Sequence, residues 1–472
     1  MIAVQKILQW FFASVLIIFA GLAAYFQQPA LLLGPFVVVI GFWLVQHPEY
    51  LFYLLLAAIP WSTEFQITPT LGTDLPDEPL MLLTAFAVIM LAIYQRRTLI
   101  KPLLHPLLFL LIVQMAWTLM IMFVSTDFIH SLKFNLAKSW YLLAFVGAPL
   151  LLWQDAKRLK KSVMVLLVSM MLAMTVALMR HAFNGLSFEM VNPSLEPFFR
   201  NHVNYSSLLV CMVPLLIVIY QYASSKQVKT ATVFALLVTI IALYLSYARG
   251  AWLALLAGII AYWLIEKRLL LFSFLLFIII SVAAVFWLRS NDRFLHYAND
   301  YRTTIFHTNF EEHLIATYKL KDMSTAERFY RWVAGVRMIK DGWRTGFGPN
   351  TFYENYKSYA LPAFKTWVSK NEEHSTLHNY FLLQLIEQGV IGLLLFISLI
   401  AAMLWYVQTI YRRTSDRFWK ITMAATASII IMLCVINFLS DMIETDKVGS
   451  VFYLCIAVII VADSKTRKEC KK

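Results

Sequence analysis

Long apolar runs separated by short polar turns fill most of this chain of 472 residues. A run of about 20 apolar residues is long enough to cross a bilayer as a helix. The pattern therefore predicts an all-α polytopic membrane protein with 12–14 transmembrane helices, because the third and tenth runs are short for a full crossing. The runs lie at about 7–26, 29–46, 49–61, 78–95, 103–124, 134–152, 160–182, 203–223, 229–247, 250–265, 268–288, 378–409, 418–438 and 447–463.

One long polar segment, residues 289–377, interrupts this pattern before the third-last helix. Within it, Ser324 and Glu327 fit a capping box, apolar residues then recur at helical spacing, and Gly342 follows as a stop signal. This segment is predicted to be a helical domain outside the membrane, with an amphipathic helix at about 325–341. The predicted parts of the chain are an N-terminal bundle (1–288), this loop domain (289–377), C-terminal transmembrane helices (378–463) and a basic tail (464–472).

The basic residues are distributed unevenly between the two sets of loops. The chain is 60% hydrophobic and only 14% charged, with a net charge of +13. One set of short loops, counted with both termini, holds 21 of the 40 Lys and Arg residues, and the opposite set holds six. Because basic loops stay in the cytoplasm, both termini are predicted to be cytoplasmic and the long segment external. The positive charge thus indicates membrane topology, not binding to nucleic acid.

His378 and Asn379 stand at the start of a long apolar run. The positive end of the helix dipole disfavours an imidazolium ion there, so we expect a neutral ring, which is a candidate general base. Arg249, in LSYARGAWLALL, is an outward arginine between two runs that nearly touch. Such a position favours an anionic ligand over a snorkelling interfacial residue.

Further candidate anion ligands flank these two positions. Arg200, with its neighbour His202 in FFRNHVNYSS, fits a lipid headgroup contact and a ligand contact about equally. Arg328 and Arg331 fall early on the predicted amphipathic helix. They form either a second anion clamp or a solvated basic face on lipid phosphates.

Metal ligation is not predicted. His374 and His378 have zinc-site spacing, but the sequence HSTLH lacks the Glu of the zinc motif. The acidic residues Asp74, Asp77 and Glu78 form no Asp-x-Asp pattern. We therefore expect no metal and no other cofactor.

The segment from His378 onward resembles the signature of a known family. It reads His-Asn, nine residues, Gly389, two residues, Gly392. Together with SYARGAWLALL, AERFYRW and GFGPNTF, in this order, it resembles the O-antigen ligase superfamily of bacterial membrane glycosyltransferases. This superfamily also includes O-antigen polymerases and protein O-oligosaccharyltransferases. Its fold has twelve spans, fewer than the fourteen runs counted here.

The resemblance implies a catalytic His378 with two essential arginines, Arg249 and Arg328. The implied donor is a glycan on undecaprenyl pyrophosphate at the outer face of the bacterial inner membrane. We favour the interpretation as an O-antigen ligase, for which the acceptor is lipid A-core. For a polymerase the acceptor is another lipid-linked repeat. The reaction would be inverting and metal-independent. Arg200, His202, Arg331 and Asn379 complete the expected substrate contacts.

A lipid-linked glycan flippase or transporter is the alternative from a different class. Such a protein should show broken helices in paired halves, or charges at mid-membrane. The sequence shows neither pattern, which favours the enzyme.

Overall fold

A computed structural model describes residues 2–28, 32–68, 71–94, 104–297, 323–365 and 376–469. These residues form an all-α polytopic membrane protein, as the apolar pattern predicts. Ten of the described helices are long and apolar enough to cross a membrane, and α1 and α5 carry shorter apolar stretches. The helices are α1 (Ile2–Phe26), α2 (Gly34–Gln46), α3 (Pro48–Ala58), α4 (Asp77–Tyr94), α5 (Pro106–Met122), α6 (Phe128–Leu142), α7 (Ala148–Leu152), α8 (Ala156–Phe183), α9 (Val191–Leu195), α10 (His202–Tyr222), α11 (Lys226–Leu245), α12 (Arg249–Lys267), α13 (Leu270–Arg289), α14 (Met323–Gly342), α15 (Phe352–Tyr356), α16 (Tyr380–Arg413), α17 (Arg417–Leu439) and α18 (Asp446–Glu469).

The second and third apolar runs form one bent pair. Helices α2 and α3 meet at 115° around His47 and Pro48. Proline has no N–H for the helix ladder and moves the preceding residue out of helical backbone geometry, which explains a break at this point. Ten helices of the described residues could span a membrane without this pair, and counting the pair as one broken span gives 11.

A two-stranded antiparallel hairpin, which the apolar pattern does not predict, follows α3. Strand β1 (Thr63–Thr68) pairs with β2 (Leu71–Leu75), with Thr63 opposite Leu75. The base of the hairpin is held by Ser62, whose Oγ donates a 2.6 Å hydrogen bond to Asp77 Oδ1. Lys447 Nζ adds two 2.9 Å hydrogen bonds to the carbonyl oxygens of Ile59 and Ser62.

Three helices form the centre of the bundle. α18 is almost wholly enclosed by protein, α17 and α10 are mostly enclosed, and α11 and α13 show most of their surface outward. α12 packs closely on α17, where Ser428 Oγ donates a 2.9 Å hydrogen bond to the Gly258 carbonyl. A Cβ at Gly258 would lie 2.0 Å from Met432 Cε, so the small residue permits this approach.

α16 is kinked at Gly389, and the GFGPN turn docks into the kink. Gly389 has φ +68° and ψ −173°. The Phe347 N–H donates to the Ile386 carbonyl and the Gly348 N–H to the Glu387 carbonyl, both at 2.9 Å. The Val390 N–H donates to the Trp343 carbonyl at 2.8 Å. The turn thus accepts and supplies the backbone hydrogen bonds that the kink removes from the helix.

Steric limits explain the glycines at this junction. A Cβ at Gly389 would lie 2.1 Å from the Arg344 carbonyl oxygen, and one at Gly346 would lie 2.3 Å from the Glu387 carbonyl carbon. Both have positive φ, which glycine adopts without strain. A Cβ at Gly392 would lie 2.3 Å from Gln388 Cβ across the kink. The two glycines that follow the His-Asn pair in the sequence signature are therefore structural.

The carboxylate of Glu387 fastens the rest of the turn. It accepts hydrogen bonds from the backbone N–H groups of Asn350 at 2.9 Å, and of Thr351 and Phe352 at 3.1 Å each. The side chain is buried. A buried carboxylate needs such donors, so this contact fixes the loop domain onto the membrane bundle directly below the segment that carries His378.

Candidate functional site

The segment 376–380 is held from two sides. Arg331 Nη1 donates to the Thr376 carbonyl at 3.0 Å, and Trp332 Nε1 donates to the Leu377 carbonyl at 3.1 Å. On the other side, the Tyr380 N–H donates to the Ser440 carbonyl at 3.1 Å. Between these bonds His378 has φ +56°, in the left-handed region that non-glycine residues rarely adopt. The loop helix α14 and the end of α17 together impose this conformation.

The His378 ring has one buried nitrogen and an exposed remainder. Nδ1 lies 3.9 Å from Asp441 Oδ1, is buried and has no hydrogen-bond partner in the described part of the chain. This separation exceeds a hydrogen bond but lies within ion-pair range. About a third of the side chain, 32%, remains exposed. The side chain is therefore half-buried, with its Nδ1 atom on the buried side.

The pKa of His378 is lowered to about 3. Burial of the ring is the largest cause, followed by the positive charges of Arg331 and Arg328. The sequence predicted a neutral ring, and so a lowered pKa, from the positive end of the helix dipole. In the structure the pKa is lowered by burial and by the charges of the two arginines instead. At neutral pH the ring carries a free lone pair.

Asp441 is an acidic neighbour of His378 that was not predicted from the sequence. Burial raises the pKa of its carboxyl above the ordinary value. It lies in the short loop between the last two helices, α17 and α18. Acidic residues in a loop on the same side as a candidate histidine are a signal that could have found it.

The predicted helix in the loop domain is present as α14, but its buried stripe differs from the predicted one. Ala326, Tyr330, Ala334 and Met338 are buried at four-residue spacing. Of the residues predicted on that face, Ala326 is buried, whereas Phe329, Trp332, Val333, Val336 and Ile339 are half-buried. The face that packs on the protein is therefore rotated toward smaller residues. It brings Glu327 and Arg331 inward with it.

Arg331 and Arg328 lie one turn apart on α14 and act differently. Arg331 is buried, contacts the carboxylate of Glu327 at 3.3 Å and holds Thr376. Its guanidinium is thus engaged in positioning the histidine segment. Arg328 is half-buried. The positive charges of both arginines lower the pKa of His378.

Arg249 begins α12 at the same end of the bundle. A Cβ on the next residue, Gly250, would lie 3.3 Å from Leu439 Cδ1, at the end of α17. Leu439 is directly followed by Ser440 and Asp441, which contact the histidine segment. The structure therefore places Arg249 and His378 around the same end of α17.

Arg200 and His202 lie at this end too, at the start of α10. The His202 N–H and ring Nδ1 lie 2.9 and 3.0 Å from Asn192 Oδ1. Arg200 is exposed, and its neighbour Phe199 lies beneath Lys447 Nζ, 5.6 Å from the ring centroid. Their contact with a substrate stays a prediction.

Asn379 is the N-cap of α16. Its side-chain oxygen accepts a 3.0 Å hydrogen bond from the Leu382 N–H, and the residue is buried. This capping bond satisfies an otherwise unpaired helix donor. A capping role therefore explains Asn379 beside the histidine, and a substrate contact stays a prediction.

A charged cluster supports the start of α16. Lys138 Nζ contacts the two carboxylate oxygens of Glu444 at 3.2 and 3.1 Å, and the Tyr380 hydroxyl donates to the same carboxylate. Lys138 is one of the six outward basic residues counted in the sequence. Its ion pair accounts for its place there and ties α6 to the loop that carries Asp441.

Among the described residues, no group of three or more His, Cys, Asp or Glu side chains is placed to hold a metal ion. In the acidic loop, Asp77 accepts a hydrogen bond from Ser62 and Glu78 Oε2 accepts one from Thr73 Oγ1. His374 lies outside the described residues.

Residues 234–397 match the family model described as O-antigen ligase. The match covers 164 of the 472 residues and supports the resemblance to the O-antigen ligase superfamily. The matched stretch contains Arg249, α14, the glycine turn, His378 and the kink of α16. It therefore includes most of the candidate site. Arg200, His202 and Asp441 lie outside it. No curated protein and no solved structure matches the chain.

Proposed function

We propose that this protein transfers a glycan from undecaprenyl pyrophosphate to a hydroxyl of lipid A-core, at the outer face of the bacterial inner membrane. One observation carries the proposal. A neutral, partly exposed imidazole lies 3.9 Å from a buried carboxylate, on a segment that Arg331 of the loop helix holds, inside the stretch that matches the family. The chemistry of such a group suits deprotonation of a sugar hydroxyl.

In the proposed reaction His378 is the general base. The acceptor hydroxyl attacks the anomeric carbon of the donor, its proton moves to Nε2 of the ring, and the bond from the carbon to the pyrophosphate oxygen breaks. The products are the glycosylated acceptor and undecaprenyl pyrophosphate. Direct attack from the opposite face inverts the anomeric centre. Asp441, 3.9 Å from Nδ1, stabilises the imidazolium that forms.

Arg249 and Arg328 are proposed to bind the pyrophosphate. Guanidinium groups bind phosphate oxygens in a bidentate manner and stay charged at all relevant pH values. They stabilise the leaving group in the role that a metal ion takes in other enzymes, so the reaction is expected to need no divalent ion. The pyrophosphate also offsets the arginine charges that lower the pKa of His378. Substrate binding therefore makes the ring a stronger base at the moment it is needed.

Membrane orientation completes the proposal. His378 lies at one end of α16, and the basic 411–420 loop follows its other end. If basic loops remain in the cytoplasm, the site faces the outside and both termini are cytoplasmic. This arrangement suits a lipid-linked donor presented in the outer leaflet, with the glycan above the membrane.

The test is transfer by the purified protein in vesicles that contain the lipid-linked glycan and lipid A-core. His378→Asn is the informative variant, because asparagine tolerates positive φ and preserves the backbone of the segment. Loss of a general base should lower the rate by about 10²–10⁴-fold. Arg337→Lys is the matched control. Arg337 lies on α14, the helix that carries Arg328, and its guanidinium donates a hydrogen bond to the Tyr359 carbonyl at the exposed surface. Normal transfer by folded His378→Asn would refute the mechanism.

The choice of acceptor separates the family activities. A ligase gives one glycan on lipid A-core, whereas a polymerase gives longer lipid-linked chains without lipid A-core, and a protein O-oligosaccharyltransferase needs a protein acceptor. Product in the first reaction only supports the proposal. Excess EDTA should leave the rate unchanged, and a loss restored by magnesium or manganese would contradict the arginine-based mechanism.

A further inference from the structure

A deep apolar cavity lies at the end of the bundle opposite His378. It has a volume of about 290 Å³ and lies mainly between α8, α10, α17 and α18. Along α17 its wall runs from Phe418 to Ile429, and along α10 from Tyr222 to Leu215. At 1.5 Å per residue these walls are roughly 10–16 Å long. The cavity thus matches the hydrocarbon depth of about one leaflet, half of a core roughly 30 Å thick.

The interior of the cavity offers hydrocarbon surface only. Its deep wall includes the buried Leu166, Ile429 and Val451. The hydroxyl groups that line it are occupied: Ser162 accepts from Trp153 Nε1 at 2.9 Å, and Thr422 and Thr426 donate to carbonyls of their own helix. A polar ligand would lose its hydration there without gaining partners. The buried part of any occupant is therefore an alkyl chain.

The mouth of the cavity carries a positive charge. Among the described residues that line the cavity, Lys160 is the one with a charged side chain. Its Nζ lies 3.8 Å from the centroid of the Tyr222 ring and 4.5 Å from that of Phe418, both of which also line the cavity. The ammonium group is thus held over the opening by cation–π contacts. Alkyl surface beneath a fixed cation is complementary to a lipid with an anionic headgroup.

The rim is open to the membrane on one side. Tyr222, Met164 and Val228 line the cavity and are exposed. A chain from the adjoining leaflet can enter there without crossing polar surface. An acyl chain that comes from the bilayer exchanges one hydrocarbon environment for another, so its burial in the cavity favours the complex little. Selectivity must then come from the charge at the mouth.

We propose that this cavity binds one acyl chain of an anionic phospholipid from the leaflet at the basic end of the bundle, with the phosphate on Lys160. The site is independent of the proposed glycan transfer, because it lies at the opposite end of α17 from Asp441. A bound chain would fill the space between α8, α10 and α17 and join these helices at that end.

The test is native mass spectrometry of the full-length protein in mild detergent, with phosphatidylglycerol as the probe. We expect one retained phosphatidylglycerol per protein and about tenfold weaker retention of zwitterionic phosphatidylcholine, because its trimethylammonium group offsets the phosphate charge that faces Lys160. Lys160→Ala should weaken retention by a similar factor. Lys161→Ala is the matched control, because its Nζ lies 4.6 Å from the Tyr53 ring, outside the cavity lining.

A second variant tests the cavity without changing its charge, and crosslinking of the wild-type protein locates the lipid without any substitution. Ala425→Phe adds a ring inside the cavity and should abolish retention. Phosphatidylglycerol with a photoreactive acyl chain should crosslink wild-type α8, α10 and α17 near the cavity. Equal retention of both phospholipids, retention unaffected by Lys160→Ala or Ala425→Phe, or displacement by an equal concentration of undecaprenyl phosphate would each overturn the proposal.

Discussion

The Nδ1 atom of His378 lies 3.9 Å from Oδ1 of Asp441. His378 stands just before α16, whereas Asp441 belongs to the loop between α17 and α18. The link between these two elements is the bond from the Tyr380 N–H to the Ser440 carbonyl. Each partner of that bond is close in sequence to one of the facing groups. The pair is therefore as rigid as the junction of the two helices, which makes its consequences measurable.

The acid sensitivity of the protein should depend on His378. The pKa of the folded ring is about 3, below its ordinary value of 6.5, so between these values the unfolded state binds more protons. The contribution of the neutral ring is present above pH 6.5 and is lost as the pH falls toward 3. We expect the melting temperature in detergent to fall less between pH 7 and 4 for His378→Asn than for wild type.

The comparison of those two proteins isolates the histidine. Asp441, whose pKa burial raises, is present in both and cancels to first order. Equal loss of melting temperature in wild type and His378→Asn would contradict the lowered pKa.

Gly389→Ala should severely destabilise the protein. The substitution forces a side chain into positive φ, which alone costs roughly 1–2 kcal/mol, and sets its Cβ 2.1 Å from the Arg344 carbonyl oxygen. We expect little folded protein by fluorescence-detected size-exclusion chromatography. Gly41→Ala is the control, because a Cβ at Gly41 in α2 meets nothing within 4 Å. Equal yields of the two variants would show that the turn and the kink do not require glycine.

Glu387→Gln tests the carboxylate that fastens the glycine turn. A glutamine side chain has one acceptor oxygen where the carboxylate uses two, so at least one of three backbone N–H groups loses its partner. An unsatisfied buried donor costs about 1–3 kcal/mol, which should appear as a lower melting temperature. Glu354→Gln, on an exposed residue of the same loop domain, should have no such effect. An unchanged melting temperature for Glu387→Gln would contradict this role.

Cysteine labelling tests the membrane orientation. Ser358 and Ser415 are both exposed, the first in the loop domain and the second at the opposite end of the bundle. In a Cys470→Ser background, an impermeant thiol reagent added to whole spheroplasts should label Ser358→Cys and not Ser415→Cys. The described cysteines, Cys211, Cys434 and Cys455, are buried and should stay unreactive. The reverse labelling pattern would invert the proposed topology.

The sequence by itself determined the fold class, the helix α14 and the histidine around which the site is built. Apolar runs report helices in a membrane because every backbone polar group there must be satisfied within the segment. The helix at 325–341 was predictable because capping residues, apolar spacing and a terminal glycine are local signals. The break at Pro48 was signalled locally too, but its 115° angle depends on what the two helices pack against.

Only the tertiary structure decided which charges meet. Asp441 reaches His378 through a backbone bond between two helices, and Arg331 reaches Thr376 through the packing of α14. Ala326 lies on the buried face of α14 as predicted, but the rest of that face was misread, because the small Ala334 permits closer packing than the larger apolar residues beside it. The reason for the glycine at position 389 also came from the tertiary structure. Gly389 packs closely against the Arg344 carbonyl, and no local sequence pattern predicts that these two segments meet. Long-range contacts follow from packing, and packing is not a property of any single segment.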